Sequence, residues 1–99
     1  MTKTKIINAE YVKGEVVIEK GEYSNGRTAI LLKNINGETL AVASVNFPEI
    51  PIDKNTTYLK GWSENAGIPD ELERLGIVAK TGRYVENGFV KAWEYIVLI

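Results

Sequence analysis

The sequence predicts an α+β domain in which an antiparallel β-sheet, built from Asn-Gly hairpins, carries one short α-helix packed on one face. Two observations predict the sheet: the chain contains three Asn-Gly pairs, and each lies between runs of residues that favour strands. Asn-Gly favours the type I′ turn, because both central residues of that turn need a positive φ, which Gly and Asn tolerate. The third observation predicts the helix, since Ile68, Leu72 and Leu75 recur at a spacing that places them on one helical face.

The β-prone runs define the strands of the predicted sheet. Residues 6–12 and 15–19 can pair across a short turn, and the later runs adjoin the Asn-Gly pairs. The terminal run, residues 89–99, is apolar on both faces, so we expect it to be a central strand. Residues 47–52 contain two prolines and are predicted to form an extended connector outside the sheet. The Asn-Gly pairs are Asn25-Gly26, Asn36-Gly37 and Asn87-Gly88, and the other runs beside them span 27–32, 39–47 and 83–86.

The helix is predicted over about residues 66–75. The sequence defines its end more clearly than its start. Pro69 suits the first helical position, whereas Asn65 is the better cap residue, so the pattern leaves the start open between them. Gly76 marks the end, because glycine readily adopts the left-handed conformation that follows many helices.

The composition excludes several kinds of site. With 99 residues, the chain is predicted to form a single domain, 1–99. It contains neither Cys nor His, which excludes a thiolate or imidazole metal site and a Ser-His-Asp triad within the chain. We therefore expect no cofactor and no bound metal.

The charge and hydropathy patterns narrow the class of partner. The net charge is −1, from 12 basic and 13 acidic residues, so we expect no nonspecific binding to nucleic acid. The longest apolar run, residues 96–99, is far shorter than the roughly 20 residues of a membrane span. We expect a protein of the bacterial cytoplasm with no membrane contact.

Catalysis would have to use carboxylates, hydroxyls, Lys, Arg or Tyr. Glu49, Asp53 and Glu64 lie near the connector and the helix entry, so a carboxylate pair is conceivable there. Nothing in their spacing requires such a pair. The sequence therefore predicts a protein that is not an enzyme and has no catalytic residue.

The triplet Ser63-Glu64-Asn65 precedes the helix and has two interpretations. In the first, its side chains cap backbone amides at the helix start, as polar residues commonly do at this position. In the second, the amides near Ala66-Gly67 join Lys60 or Arg83 in a pocket for an anion or nucleotide. The glycines here match no phosphate-binding loop, and capping does not require Glu64.

The large aromatic residues also have two interpretations. Buried, they would fill the core of a small domain; exposed together, they would anchor a protein partner. We expect Trp93 to belong to the core because it lies on the terminal strand. Trp62 is the better candidate for exposure, since glycine and polar residues flank it.

Several short motifs occur together in a familiar order. They are Asn25-Gly26-Arg27, Ala43-Ser44-Val45-Asn46-Phe47-Pro48-Glu49, Ser63-Glu64-Asn65 with Gly67, Gly76-Ile77-Val78, Thr81-Gly82-Arg83 and Gly88-Phe89-Val90. Over residues 23–92 the chain resembles an uncharacterised family of short proteins carried by phages, plasmids and integrative elements of Firmicutes and gut bacteria. It departs from the family pattern at Gly61-Trp62 and at Lys91-Ala92-Trp93-Glu94. The resemblance implies a biological setting and no mechanism.

This setting favours two functions. The first is a non-catalytic accessory protein that binds and inhibits or modulates a host protein, possible targets being CRISPR and other defence systems. The alternative is a small-ligand binder, such as a sponge for a nucleotide defence signal, which needs aromatic and cationic side chains around a pocket. A homodimer through a sheet edge or the helix face is a plausible assembly. The candidate binding residues are Tyr58, Lys60, Trp62, Ser63, Glu64, Asn65 and Arg83.

Overall fold

The computed structural model describes residues 4–99, and for Asn87 it describes the backbone. These residues form two antiparallel sheets and one short α-helix, in agreement with the predicted α+β class. None of the described helices is both long and apolar enough to cross a membrane. In chain order the elements are β1 (Thr4–Asn8), β2 (Lys13–Glu22), β3 (Thr28–Lys33), β4 (Thr39–Val42), β5 (Ser44–Val45), β6 (Thr56–Leu59), a 3-10 turn (Ser63–Asn65), α1 (Ile68–Arg74), β7 (Val78–Asn87) and β8 (Val90–Val97).

The strands divide into two sheets where the sequence predicted one. Sheet one has the order β1-β2-β3-β4, and sheet two has the order β5-β6-β8-β7. The predicted strand 39–47 bends at Ala43, whose two backbone groups bond to different sheets. Its N–H donates to the carbonyl of Ile30 at 2.8 Å, and its carbonyl accepts from the N–H of Lys60 at 2.8 Å. Ala43 therefore joins the two sheets along one continuous stretch of chain.

The turns differ from the predicted type I′ geometry. Asn25-Gly26 and Asn36-Gly37 lie in five-residue connections, and only their glycines have a positive φ, 84° and 89°. The Asn25 side chain instead accepts a hydrogen bond from the N–H of Arg27 at 3.2 Å, which stabilises a longer loop. The predicted two-residue Asn-Gly turns are therefore wrong at these two positions. At the third pair, Asn87 faces Val90 in the strand ladder, and residues 88–89 form the connection.

The main core lies between the two sheets and the helix. Ile68 and Leu72 of α1 are fully buried there with Ile30, Leu32 and Leu59, as the predicted apolar face of the helix requires. Strand β8 is interior in sheet two, between β6 and β7, which confirms the prediction of a central terminal strand.

Helix α1 lies between the free edges of the two sheets rather than on one face of a single sheet. It contacts β1, an edge of sheet one, and β7, an edge of sheet two. The N–H of Asn8 donates to Glu71 Oε1 at 2.9 Å, and the N–H of Lys80 donates to Glu73 Oε2 at 3.4 Å. Two carboxylates of the helix thus accept hydrogen bonds from edge-strand N–H groups. On an uncovered edge these N–H groups would be open to pairing with another chain.

The helix begins at Ile68, and the candidate cap residue Asn65 does not cap it. Gly67 is the residue before it, with a φ of 86°, and no described side chain caps the first turn. Pro69 lies within that turn, where its missing N–H is tolerated. At the other end Gly76 has a φ of 76°, as predicted for the residue that follows the helix.

The connector 47–52 covers the outer face of sheet two. Phe47, Ile50 and Ile52 form a second apolar cluster there with Tyr58 and Ala92. Sheet two is therefore covered on one face by this connector and on the other by the main core.

Candidate binding groove

A groove of about 320 Å³ opens on the inner face of sheet two, beyond the end of the main core. One wall is the segment that joins β6 to α1, and the other is the β7–β8 hairpin. We call this cavity the aromatic groove, and the side chains that define it are Trp62, Pro69, Lys80, Phe89, Lys91 and Trp93.

Both tryptophans of the chain line the aromatic groove. Trp93 packs against the main core, and Trp62 packs against the cluster under the connector. Each is half-buried, so the expected contrast between a core Trp93 and an exposed Trp62 is not found. Each tryptophan uses one part of its ring for packing and leaves another part at the groove.

Phe89 stands at the rim of the groove and is fully exposed, with a relative accessibility of 110%. It follows Gly88, whose φ of 66° shapes the tip of the hairpin. At this accessibility, no other side chain among the described residues covers the ring. An aromatic ring in this position is typical of a residue that becomes buried on binding.

Two lysines place their charges over the aromatic floor. Lys80 Nζ lies 4.7 Å from the centroid of the Trp93 ring, and Lys91 Nζ lies 4.8 Å from it and 3.9 Å from that of Tyr84. The strand register explains this arrangement, because Tyr84 is paired with Trp93 across β7 and β8. Attraction between an ammonium group and an aromatic ring favours these positions.

These lysines form no ion pair with a carboxylate of residues 4–99. Glu86 is opposite Lys91 in the strand ladder, yet the Lys91 ammonium lies over the rings instead. Asp70, in the first turn of α1, is the acidic residue of the groove lining. The groove therefore presents two cations against one carboxylate.

Tyr95 forms part of the groove floor and is buried. Burial, followed by the charges of Glu73 and Asp70, raises the pKa of Tyr95 to about 12. The phenol consequently stays neutral at physiological pH and contributes no negative charge to the groove.

The predicted triplet lies beside the groove and has a structural role that the sequence did not indicate. Ser63 and Glu64 are exposed on the 3-10 turn, while Asn65 is buried at 2% accessibility. Asn65 Nδ2 donates to the carbonyl of Val42 at 2.9 Å and so attaches the turn to β4. Of the two interpretations of the triplet, the one in which its side chains cap the helix is wrong, because neither the turn nor α1 has a side-chain cap among the described residues.

Two other candidate residues, Tyr58 and Arg83, lie on the opposite face of sheet two. They line a shallow cavity of about 360 Å³ together with Asp53 and the buried carboxylate of Glu94. Arg83 donates to Glu94 Oε1 from Nε at 2.9 Å and from Nη2 at 2.6 Å, and its Nη2 lies 3.3 Å from Asp53 Oδ2. We call this group the outer ion-pair site.

The outer ion-pair site is satisfied within the fold. The hydrogen bond to Glu94 raises the pKa of Arg83 further above its usual range. Burial, and then the neighbouring Glu94 charge, raise the pKa of Tyr58. The guanidinium is already held by two carboxylates, so this site offers little positive charge to an anion.

The expected pocket of Tyr58, Lys60, Trp62 and Arg83 is not assembled. Trp62 lines the aromatic groove, whereas Tyr58 and Arg83 line the cavity on the other face. Lys60 is half-buried and lines neither cavity. Strand β6 ends at Leu59, so the chain has left the sheet before Lys60 and Trp62, and the alternation of a strand no longer places them with Tyr58.

Sequence reasoning missed three groove residues: Lys80, Phe89 and Lys91. One signal was available, because Lys91 and Trp93 are two positions apart on a predicted strand and so share a face. The position of Phe89 directly after Asn87-Gly88 was a second signal, since it placed an aromatic residue at a turn.

Within residues 4–99, no three carboxylates are grouped so that they could hold a metal ion. Comparisons of the chain with models of protein families, with curated proteins and with solved structures find no match. The aromatic groove is therefore the feature on which a functional proposal can rest.

Proposed function

We propose that this chain is a non-catalytic accessory protein of a phage or mobile element that binds a host protein in the bacterial cytoplasm and inhibits or modulates it. A host defence system, such as a CRISPR effector, is the class of target that the proposed setting favours. The resemblance over residues 23–92 supports the setting, and the aromatic groove supports the mode of action.

The observation that carries the proposal is the fully exposed Phe89 beside the half-buried Trp62. Burying one large apolar side chain is worth about 1.5–3 kcal/mol, and a partner that covered Phe89 would gain this energy. Aromatic residues next to a concave surface commonly supply most of the energy of a protein interface.

Affinity capture tests the proposal. The tagged protein is incubated with lysate of a Firmicutes host, and the retained proteins are identified by mass spectrometry. We expect Phe89→Ala to lower retention of the specific partner by about tenfold or more, since hot-spot truncations cost about 2 kcal/mol or more.

The matched control is Ile35→Ala. Ile35 is also exposed, at 67%, and lies in the connection between β3 and β4 rather than at the groove. This variant should retain the partner like the unmodified protein. Equal retention by both variants, or no specific partner at all, would contradict the proposal.

A further inference from the structure

We infer that the aromatic groove recognises an acidic, partly apolar peptide segment of the partner: carboxylates bind at Lys80 and at Lys91, and a neighbouring apolar side chain packs on Phe89 and Trp62. This inference deepens the proposed function and rests on it. It specifies the chemistry of the segment that enters the groove.

The positive charges of the groove favour an acidic segment. Lys80 and Lys91 both lie within 5 Å of the centroid of the Trp93 ring, so both ammonium groups border the same ring. Lys33, Arg74 and Arg83 are paired with carboxylates, whereas other cations of residues 4–99, such as Lys13 and Lys54, have no such partner. The two groove lysines also have no such partner and are distinguished by their position over the Trp93 ring, where carboxylates of another chain would complement their charge.

The aromatic side chains on the two walls of the groove favour an apolar residue in the same segment. Phe89 is wholly exposed on the hairpin wall, and Trp62 is half-buried on the opposite wall. A side chain that inserted between them would be desolvated on two sides while its neighbour reached the lysines. The groove thus favours an acidic residue next to an apolar one, rather than a uniformly acidic surface.

A nucleotide is the competing occupant, because it also combines a ring with negative charge. Its base would bind by stacking on an aromatic face. The Trp93 ring already carries two ammonium groups, so a base that stacked there would compete with both. A carboxylate requires no such displacement, and the arrangement therefore favours the peptide.

Intrinsic fluorescence provides a direct test, because both tryptophans of the chain line the groove. The unmodified protein is titrated with a blocked peptide of sequence Asp-Phe-Asp-Leu, with its Asn-Phe-Asn-Leu and Lys-Phe-Lys-Leu analogues, and with adenosine monophosphate. We expect a saturable change with the acidic peptide, an affinity at least about tenfold above that of the Asn analogue, and weakening as salt rises.

The charge variants locate the effect. Lys80→Gln combined with Lys91→Gln should weaken the acidic peptide by about tenfold or more and leave the circular dichroism spectrum unchanged. Lys13→Gln combined with Lys54→Gln is the matched control, since these exposed lysines carry the same charge and lie outside the groove. The control should bind the acidic peptide like the unmodified protein.

Four results would overturn the inference: no saturable change at millimolar acidic peptide, equal affinity for the Asn analogue, preference for the Lys analogue, or tighter binding of adenosine monophosphate. Affinity capture separates this failure from failure of the proposed function. If the Lys80→Gln and Lys91→Gln variant retained the partner while Phe89→Ala lost it, the protein would still be a binding protein, but its groove would not read acidic residues.

Discussion

The two faces of sheet two differ in whether their cationic side chains have carboxylate partners. In the aromatic groove, Lys80 and Lys91 lie over aromatic rings without a carboxylate partner among the described residues. At the outer ion-pair site, Arg83 is held by the buried Glu94 and by Asp53. The same strands, β7 and β8, supply residues to both arrangements.

The difference follows from what covers each face. The connector 47–52 covers the outer face, and a carboxylate buried beneath it needs a cation, because an isolated buried charge is very costly. The groove lies beyond the end of the core, where water can hydrate exposed ammonium groups. The outer site therefore stabilises the fold, whereas the two groove cations have no carboxylate partner among the described residues.

The largest effect that tests this contrast comes from the two tyrosines. Tyr58 is 5% exposed and packs edge-on against Phe47 at a centroid distance of 5.5 Å, whereas Tyr84 is 45% exposed and lies 4.9 Å from Trp93. Tyr58→Ala should lower the free energy of unfolding by about 3–5 kcal/mol, the range for a large buried aromatic residue. Tyr84→Ala should lower it by about 1 kcal/mol, because it loses one partly exposed aromatic contact.

Urea denaturation followed by circular dichroism measures both values. Tyr84→Phe is the control, since it keeps the ring and should preserve stability. Equal losses from the two alanine variants would show that the groove face stabilises the fold as much as the covered face, and the contrast would then be lost.

The second effect is an asymmetry within the outer ion-pair site. Arg83→Ala leaves the Glu94 carboxylate, 3% exposed, without its cation, whereas Glu94→Gln leaves a guanidinium that is 63% exposed and easily hydrated. Removing one partner of a buried pair is costly mainly because of the charge that stays buried. Arg83→Ala should therefore lower the melting temperature by several degrees, and Glu94→Gln by clearly less.

Differential scanning calorimetry at pH 7 checks this order, with Lys80→Ala as the matched cation of the other face. Lys80 has no carboxylate partner among the described residues, so its removal should leave the melting temperature nearly unchanged. A larger loss from Glu94→Gln than from Arg83→Ala would refute the idea that the outer cation serves the buried carboxylate.

The fold class and the helix could be predicted from local patterns, whereas the division into two sheets could not. Ile68, Leu72 and Leu75 repeat at helical spacing, and the apolar faces of residues 89–99 indicate an interior strand. The bend at Ala43 depends instead on backbone bonds to Ile30 and Lys60, which no local pattern encodes. The predicted Asn-Gly turns failed because side-chain bonds stabilise longer loops around Asn25 and Asn34.

Of the side chains that define the aromatic groove, the sequence identified Trp62 as a binding residue and did not identify Lys80, Phe89 or Lys91. Trp62 was identified because its polar neighbours indicated exposure. Lys80 was not predicted because the rings beneath it, Trp93 and Tyr95, belong to another strand, whose register with β7 shifts between Lys80 and Tyr84. Arg83 was assigned to the wrong surroundings, since its partner Glu94 is 11 residues away along the chain.

The third effect is a loss of stability at high pH that originates at the groove floor. The pKa of Tyr95 is raised from 10.0 in the unfolded chain to about 12 in the folded protein, mainly by burial. Below pH 10 the phenol is neutral in both states, so its contribution is constant. Between about pH 10 and 12 the unfolded state releases the proton first, and the free energy of unfolding should fall by roughly 1–3 kcal/mol.

Tyr95→Phe should make this part of the pH profile flatter than the profile of the unmodified protein. Urea denaturation between pH 9 and 12, together with phenolate absorbance at 295 nm, measures both profiles. A profile that declined equally in the unmodified protein and in Tyr95→Phe would assign the alkaline loss to other groups, and the groove floor would then have no part in it.

The smallest effect concerns two exposed residues beside the groove, Phe89 and Glu64. Phe89 is fully exposed and Glu64 is exposed on the 3-10 turn, so neither side chain belongs to the buried core. Phe89→Ala and Glu64→Ala should each change the free energy of unfolding by less than about 0.5 kcal/mol in urea denaturation. Only Phe89→Ala should reduce partner capture, because Phe89 lines the groove and Glu64 does not. A loss of capture without a loss of stability would place the function of this face in binding, whereas a large destabilisation by Phe89→Ala would mean that the hairpin tip is part of the fold.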